Sequence, residues 1–219
     1  MRTLIVPGLN GSGPKHWQTL WEERYGFERI QQRDWENPDA AEWVQNLNAA
    51  IMKHSGKVIL VAHSLGSLTV IKWTELYAEH TKRVQSALLV TPPDISSTEL
   101  NDSVRGFALL TPRNLPFPSI LVGSENDPYM ALNTAKNLAL ALGSSFVNAG
   151  RAGHININSG NGPWPLGEVL LLELLAGSFK NQEISTGAHK KNHFNQKSWK
   201  AVNHRASQWL YQAIQLWES

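Results

Sequence analysis

Short apolar runs alternate with longer segments of helical period along most of the 219-residue chain. This alternation is typical of βαβ units, in which each helix carries the chain back so that successive strands lie parallel. The pattern therefore predicts an α/β fold, a doubly wound, mostly parallel sheet of about six strands with helices on both faces. The predicted strands are Thr3 to Pro7, Glu28 to Arg33, Val58 to His63, Ala87 to Thr91, Ser119 to Gly123 and Ser145 to Ala149, and the predicted helices cover about 15–25, 39–54, 66–81 and 128–142.

The domain organisation follows from changes in composition along the chain. Residues 1–177 carry all the predicted strands, and we expect them to form one domain. Residues 178–197 are polar and predict a linker. Apolar side chains then recur at helical spacing over 198–219, which predicts an amphipathic C-terminal helix. We expect its tryptophan-bearing face to pack on the body of the protein or to form a homodimer, and a membrane-surface helix is the alternative.

Composition also bears on compartment, metals and partners. The chain has no cysteine, which excludes disulfides, thiolate catalysis and cysteine-ligated metals. The first apolar run is too short for a signal peptide and no run is long enough to span a membrane, so we expect a cytoplasmic protein. The basic surplus lies in the C-terminal segment, so we expect no nucleic-acid partner. His189 and His193 have no third ligand nearby, and we expect neither a metal nor a cofactor.

The stretch Ala62-His63-Ser64-Leu65-Gly66 lies where a predicted buried strand turns into a helix. It approximates the G-x-S-x-G nucleophile elbow, with alanine at the first glycine position. Small residues two before and two after the serine permit the tight turn that exposes its hydroxyl, and the helix that follows directs the Leu65 N–H towards a developing oxyanion. Ser64 is therefore the candidate nucleophile, and a serine that caps an ordinary helix is the alternative.

A serine nucleophile needs a histidine base and an acid that orients this base. Asp127 follows the fifth predicted strand and His154 follows the sixth, which gives the chain order Ser, Asp, His of α/β-hydrolases. Asp94, after the fourth strand, is the alternative acid. His63 borders the serine, but adjacent side chains on a sharp turn diverge, so we expect it to be structural. His16 is expected on the surface of a helix.

The glycine-containing loop "PGLNGSG" after the first strand predicts further parts of the site. Such a loop supplies the second oxyanion donor, which we assign to the Leu9 N–H, with Asn10 as the alternative. The loop matches neither common phosphate-binding pattern, although nucleotide binding stays open as an alternative. Residues near the strand ends predict a mostly apolar pocket suited to a small-molecule acyl substrate; besides Leu9 and Leu65 they are Asn10, Trp17, Pro92, Tyr129, Ile155 and Trp164.

Four segments carry a resemblance to a known family. "VPGLNGSGPKHW", "VAHSLGS", "VGSENDPYM" and "AGHININSGNGPWP" resemble the small single-domain serine hydrolases of the α/β-hydrolase fold, of the retinoblastoma-binding serine hydrolase type. The resemblance spans about residues 1–177, and the segment from 178 onward departs from the family pattern. It implies a minimal hydrolase core without a large lid and hydrolysis of an ester or related acyl bond. It also implies Ser64 as nucleophile, Asp127 as acid and His154 as base.

The sequence leaves three classes of function open. We expect a serine hydrolase that cleaves small esters or related acyl bonds through an acyl-enzyme intermediate. One alternative is a non-catalytic interaction protein that keeps the fold, because a fold does not guarantee its chemistry. The other is an acyltransferase or perhydrolase that uses the same three side chains.

Overall fold

Seven parallel strands form a single sheet in the computed structural model, which describes residues 1–95, 102–108, 111–176 and 184–185. The strands are β1 Arg2–Val6, β2 Glu28–Arg29, β3 Val58–His63, β4 Val84–Val90, β5 Ser119–Gly123, β6 Ser145–Asn148 and β7 Ile184–Ser185. The helices are α1 Trp17–Tyr25, α2 Ala40–Lys53, α3 Leu65–Leu76, α4 Asp102–Arg105, α5 Leu132–Ala141 and α6 Pro165–Leu175. Each of the six predicted strands is present, and the predicted parallel sheet is confirmed.

The order of the strands determines where a crevice forms. The sheet runs β2-β1-β3-β4-β5-β6-β7, and every neighbouring pair is parallel. From β1 the chain moves outward to β2, and from β3 it moves outward in the other direction. The two directions diverge between β1 and β3, which is the topological switch point where such sheets bind ligands. The loops that follow these two strands therefore face a common crevice.

Helices cover both faces of the sheet, as the sequence predicts. Alternate residues of a buried strand point to opposite faces, and β3 is buried along its whole length. Leu60 of β3 packs in the core beneath α2, α3 and α5, whereas Ile59 and Val61 pack in the core beneath α1 and α6. Among the described segments, none inserted between the strands is long enough to form a large lid domain.

The start of α5 differs from the sequence prediction. The prediction places Pro128 in the first helical turn, but the helix begins at Leu132, after Ala131 in an extended conformation. The Asp127 carboxylate accepts a hydrogen bond from the Tyr129 N–H at 3.0 Å, and this bond stabilises a turn rather than a helix. The predicted boundary is therefore wrong by about a turn, and the turn itself positions Asp127.

Helix α6 is absent from the sequence prediction. Its sequence, "PLGEVLLLELL", is apolar at most positions and so lacks the polar face that gives a helix its characteristic period. Leu170, Leu171 and Leu174 are buried against the sheet, and the single buried acid, Glu168, accepts a hydrogen bond from the Tyr25 hydroxyl at 2.6 Å. Burial on several sides explains why no amphipathic pattern marks this helix.

Most of the predicted linker and all of the predicted C-terminal helix lie outside the described residues, as do His189 and His193. Within the linker prediction, β7 pairs with β6 and adds a short edge strand to the sheet. The linker prediction did not include this strand. None of the helices in the described ranges is both long and apolar enough to cross a membrane.

The turn between β3 and α3 lies directly against the main chain that follows β1. A Cβ atom at Gly66 would lie 2.2 Å from the Val6 carbonyl oxygen and 2.5 Å from the Pro7 carbonyl oxygen. Both obstacles are main-chain atoms at the end of a central strand, so they have no freedom to move away. Glycine is thus required at position 66 by this close approach.

The Gly66→Ala substitution should lower the free energy of unfolding by about 3 kcal/mol or more, because an overpacked core must displace β1 or α3. Urea unfolding followed by circular dichroism measures the difference. Gly56→Ala is the matched control, since a Cβ there meets no atom within 4 Å. Equal stability of the two variants would contradict the close approach described above.

Candidate active site

Ser64 occupies the turn between β3 and α3 in a strained backbone conformation. Its φ of 53° and ψ of −124° lie outside the regions that L-residues ordinarily adopt. Two contacts hold it there, because the Ser64 N–H donates to the Val90 carbonyl at 2.8 Å and Gly8 packs against its side chain. A Cβ atom at Gly8 would lie only 2.8 Å from the Cβ of Ser64. Strain of this kind persists only where the surrounding structure enforces it, and it is concentrated at functional sites.

Three predicted residues from three strand ends converge on one hydrogen-bonded chain. The Nε2 atom of His154 lies 2.8 Å from the Ser64 hydroxyl oxygen. On the other side of the ring, His154 Nδ1 lies 2.9 Å and 3.1 Å from the two carboxylate oxygens of Asp127. The side chains of His154 and Asp127 are only 6% and 2% exposed, so water competes little for these bonds.

The direction of these hydrogen bonds fixes the protonation pattern of the neutral imidazole. A carboxylate only accepts, so Nδ1 of His154 donates its proton to Asp127. Nε2 is then the unprotonated nitrogen, and it accepts the hydrogen bond from the Ser64 hydroxyl. This arrangement lets the imidazole take a proton from the serine while the carboxylate stabilises the resulting positive charge.

The loop that carries His154 is held by hydrogen bonds from a neighbouring loop, from its own later residues and from the first residue of α1. The His154 N–H donates to the Ser159 hydroxyl at 3.0 Å, and the Gly153 N–H donates to the Asn126 side chain at 2.8 Å. Beneath the loop, the indole N–H of Trp17 donates to the Ile155 carbonyl at 2.9 Å. These bonds place the imidazole from three directions, which limits its freedom to leave Ser64.

His63 has a structural role, consistent with the sequence expectation. Its Nε2–H donates to the main-chain carbonyl of His154 at 2.9 Å, and the side chain is buried. Burial lowers the pKa of His63 well below its ordinary value, and the neighbouring His154 and His16 lower it further. His63 is therefore neutral next to the imidazole of His154.

His16 differs from its predicted position on a helix surface. It is the N-cap of α1, its Nδ1 accepts a hydrogen bond from the Gln18 N–H at 3.2 Å, and it is only 5% exposed. Its ring packs against that of His63 with 4.8 Å between centroids. Burial, with smaller contributions from Arg29 and His154, lowers the pKa of His16 to about 4. The surface prediction failed because the ring packs against His63, a contact between distant parts of the chain that the local sequence does not show.

The loop after β1 approaches Ser64 and is tightly held. The N–H of Asn10 donates to the Trp35 carbonyl at 2.9 Å, so this N–H is engaged away from Ser64. The guanidinium group of Arg29 binds the carbonyls of Gly11 and Ser12 at the far side of the same loop. With Asn10 engaged, the geometry favours Leu9 over Asn10 as the loop's donor towards Ser64.

A cavity of about 560 Å³, the main cavity, opens above Ser64 and His154. Four of the residues predicted for the pocket or the oxyanion donors line it, namely Leu9, Asn10, Leu65 and Tyr129. The Tyr129 ring also packs edge-on against the His154 ring, 4.6 Å between centroids. Of the described lining residues, Lys15 is the only one with a permanent charge, and it is exposed, so most of the cavity wall is uncharged.

The other predicted pocket residues do not line the main cavity. Trp17, Pro92, Ile155 and Trp164 are all buried. Trp17 and Trp164 contact each other beneath the His154 loop, with ring centroids 5.0 Å apart. The sequence analysis is right that these residues lie near strand ends. Their side chains, however, are buried in the core and do not face the crevice.

Sequence reasoning missed several residues that do line the cavity. Pro93 and Val104 form part of its apolar wall, and Asn156, Ile157 and Asn158 border it beside His154. The last three follow the predicted base directly, so their position in the chain was an available signal. Val104 lies on the four-residue helix α4 inside a long connection, where no periodic pattern marks it.

Asp94, the alternative acid, lies elsewhere. Its N–H donates to the Tyr129 carbonyl at 2.8 Å, and its side chain borders a second, smaller cavity. The carboxylate that contacts the His154 ring is that of Asp127. The same Asp127 oxygen also accepts a hydrogen bond from the Tyr129 N–H, so capping this turn and binding the histidine do not compete.

Comparison with known proteins gives a consistent result. A family model described as "Serine hydrolase" matches residues 3–173. A solved structure described as a YdeN-like hydrolase from Pectobacterium atrosepticum has 32% sequence identity and a TM-score of 0.71, with 82% of this chain and 92% of that chain covered. The ydeN gene product from Bacillus subtilis has 17% identity and a TM-score of 0.59, with 80% and 98% covered.

A third solved structure, carboxylesterase CesB from Bacillus subtilis, shares the fold at 14% identity and a TM-score of 0.53, with 81% of this chain and 85% of that chain covered. The chain matches none of the curated proteins with which it was compared. The similarity thus covers the strands and loops that carry the three converging residues.

The lowered pKa of His16 predicts how stability depends on pH. Because the unfolded state binds a proton near pH 6.5 and the folded state only near pH 4, stability falls as the pH drops through this window. His16 alone should cost about 2 kcal/mol of unfolding free energy between pH 7 and pH 5. Urea unfolding of wild type and His16→Asn, which keeps a capping side chain, measures this difference.

We expect His16→Asn to retain about 2 kcal/mol more of its pH 7 stability at pH 5 than the wild type does. His63 still titrates in both proteins and leaves a shared residual loss. The same loss in both proteins would mean that His16 is not buried in its neutral form.

Proposed function

Because the chain belongs to the serine hydrolase family, we propose that it hydrolyses small carboxylic esters or related acyl bonds through an acyl-enzyme on Ser64. The observation that carries the proposal is the continuous chain from the Ser64 hydroxyl through His154 to Asp127, with bonds of 2.8 Å and 2.9 Å. A serine hydroxyl becomes an effective nucleophile when a base this close accepts its proton.

The first half of the reaction forms the acyl-enzyme. Ser64 Oγ attacks the carbonyl carbon of the substrate while His154 Nε2 accepts the hydroxyl proton. The carbonyl oxygen becomes an oxyanion, and the main-chain N–H groups of Leu9 and Leu65 donate hydrogen bonds to it. When the tetrahedral intermediate collapses, His154 returns the proton to the leaving alcohol, and the acyl group stays on Ser64.

The second half uses the same groups with water. His154 Nε2 accepts a proton from a water molecule as its oxygen attacks the acyl carbon. The second tetrahedral intermediate releases the carboxylic acid, and the proton on His154 passes back to Ser64 Oγ. Each turnover consumes one ester and one water molecule, and Ser64 and His154 return to their starting protonation states.

The surroundings of His154 suit the positive charge that it carries in both steps. The Asp127 carboxylate lies against Nδ1 and is almost fully buried, where its attraction to the imidazolium is strong. The two neighbouring histidines, His16 and His63, have lowered pKa values and add no like charge at neutral pH. This electrostatic arrangement favours proton transfer from Ser64.

The finer assignment concerns the kind of acyl bond. The main cavity presents apolar side chains such as Leu9 and Val104 next to the nucleophile, and this supports a carboxylesterase-like preference for uncharged acyl groups. The narrower resemblance, to the retinoblastoma-binding serine hydrolase type, rests on the sequence segments around Ser64, Asp127 and His154. We propose it on that basis.

A fluorophosphonate probe should label the native protein on Ser64, because the activated hydroxyl attacks phosphorus as it attacks a carbonyl. Ser64→Ala should abolish labelling and lower kcat/KM for an aryl acetate by about 10⁴-fold or more. Intact-mass spectrometry with peptide mapping locates the adduct. Ser55→Ala, in the exposed turn after α2, is the matched control and should label normally.

A folded protein that neither labels nor hydrolyses any ester would favour the non-catalytic interaction protein. Faster transfer of the acyl group to an added alcohol or peroxide than to water would favour the acyltransferase or perhydrolase. Each result would displace hydrolysis as the function.

Asp127→Asn should lower kcat for an aryl acetate by about 10⁴-fold, because an amide stabilises the wrong tautomer of His154. Steady-state kinetics at pH 7 measures the loss. Glu125→Gln is the matched control, since this exposed neighbour binds Asn148 and not the histidine. Full activity of Asp127→Asn together with a loss in Asp94→Asn would transfer the acid role to Asp94.

A further inference from the structure

A second cavity of about 280 Å³, here called the side cavity, lies behind the main cavity. Pro93, on the loop after β4, lines both cavities. Other segments contribute one residue to each cavity. Leu65 of α3 borders the main cavity, and Leu68, one turn further along the same helix face, borders the side cavity. The nucleophile's own helix therefore continues from one cavity to the other.

Two further segments show the same pairing. Tyr129 lines the main cavity and its neighbour Met130 lines the side cavity. Val104 lines the main cavity, and Phe107, three residues later, lines the side cavity. Since three separate segments and a common proline border both cavities, the side cavity adjoins the main cavity around Ser64.

The chemistry of the side cavity restricts its occupant. Leu68, Phe107, Met130 and Leu138 contribute apolar surface, and no described lining residue is a cation. Asp94 is the only acid among the described lining residues. The cavity thus fits an uncharged hydrocarbon chain and disfavours a carboxylate or phosphate.

The position of the leaving oxygen determines which half of the substrate points towards the side cavity. The leaving oxygen must lie beside His154 Nε2 to receive its proton, and the loop that carries His154 also supplies Asn156 and Asn158 to the main cavity. The polar, open side of the main cavity thus suits the leaving alcohol. An acyl group directed away from the leaving oxygen would point towards Leu65 and Pro93, and Pro93 also borders the side cavity.

We propose that the side cavity holds the distal part of the substrate's acyl chain, so that the protein prefers esters of medium-length linear acyl groups over acetyl esters. The inference rests on the proposed ester hydrolysis at Ser64 and names its substrate class. Each buried methylene group should raise kcat/KM by about fourfold until the cavity is full.

The test uses p-nitrophenyl esters with acetyl, butyryl, hexanoyl, octanoyl and decanoyl groups, which share one leaving group. Wild type should show kcat/KM rising with acyl length to a maximum and then levelling or falling. Thr134→Trp introduces a large side chain into the side cavity from α5, at a half-buried position. It should lower the ratio of kcat/KM for octanoate to that for acetate by about tenfold or more.

The matched control is Leu140→Trp on the same helix. Leu140 is 79% exposed and borders neither cavity, so its variant should keep the wild-type ratio and activity. Leu138→Trp, also half-buried and lining the side cavity, provides a second blocked variant if Thr134→Trp does not fold. Circular dichroism and urea unfolding establish which variants are native.

Three results would overturn the inference. The first is a wild-type kcat/KM that does not rise with acyl length. The second is an unchanged octanoate-to-acetate ratio of kcat/KM in a folded blocked variant. The third is a kcat/KM that rises instead with the length of the alcohol in a series of alkyl acetates. Failure of the proposed function is a different result, because then no ester is hydrolysed and fluorophosphonate does not label Ser64.

Discussion

The close approach of two main-chain segments at the switch point of the sheet is the constraint on which the remaining structure depends. Gly66 and Gly8 let the turn after β3 press against the loop after β1, where any side chain would collide with carbonyl oxygens or with Ser64. That contact holds Ser64 at a positive φ and brings the loop of Leu9 beside the Leu65 N–H. Nucleophile and candidate oxyanion donors thus share one packing requirement.

Of the three histidines described beside Ser64, the surroundings favour only His154 as the proposed base. The three imidazole rings lie in a row, tilted against one another, yet His16 caps a helix and His63 donates to a carbonyl, and burial lowers the pKa of both. Only His154 has a carboxylate at one nitrogen and a hydroxyl at the other. Position relative to Asp127, and not residue type, therefore separates the base from its neighbours.

The sequence predicted the parallel sheet and the convergence of Ser64, Asp127 and His154, because strand ends in a doubly wound sheet meet at one edge. It predicted side-chain direction poorly. Trp17 and Trp164 are near the right strand ends but turn into the core, and His16 was expected in solvent. Such directions depend on packing between distant segments, which the local pattern of a single chain does not encode. Helix α6 was missed because it is buried on several sides and so has no period.

The hydrogen bond from His63 Nε2 to the His154 carbonyl links the residue beside the nucleophile to the backbone of the base. Thr91, at the end of β4, donates to the same carbonyl at 3.2 Å. These two bonds therefore tether the main chain of His154 to the ends of β3 and β4, beside the turn that carries Ser64. Because Trp17 of α1 binds the Ile155 carbonyl, the next residue along, a shift of that helix would also reach the His154 loop.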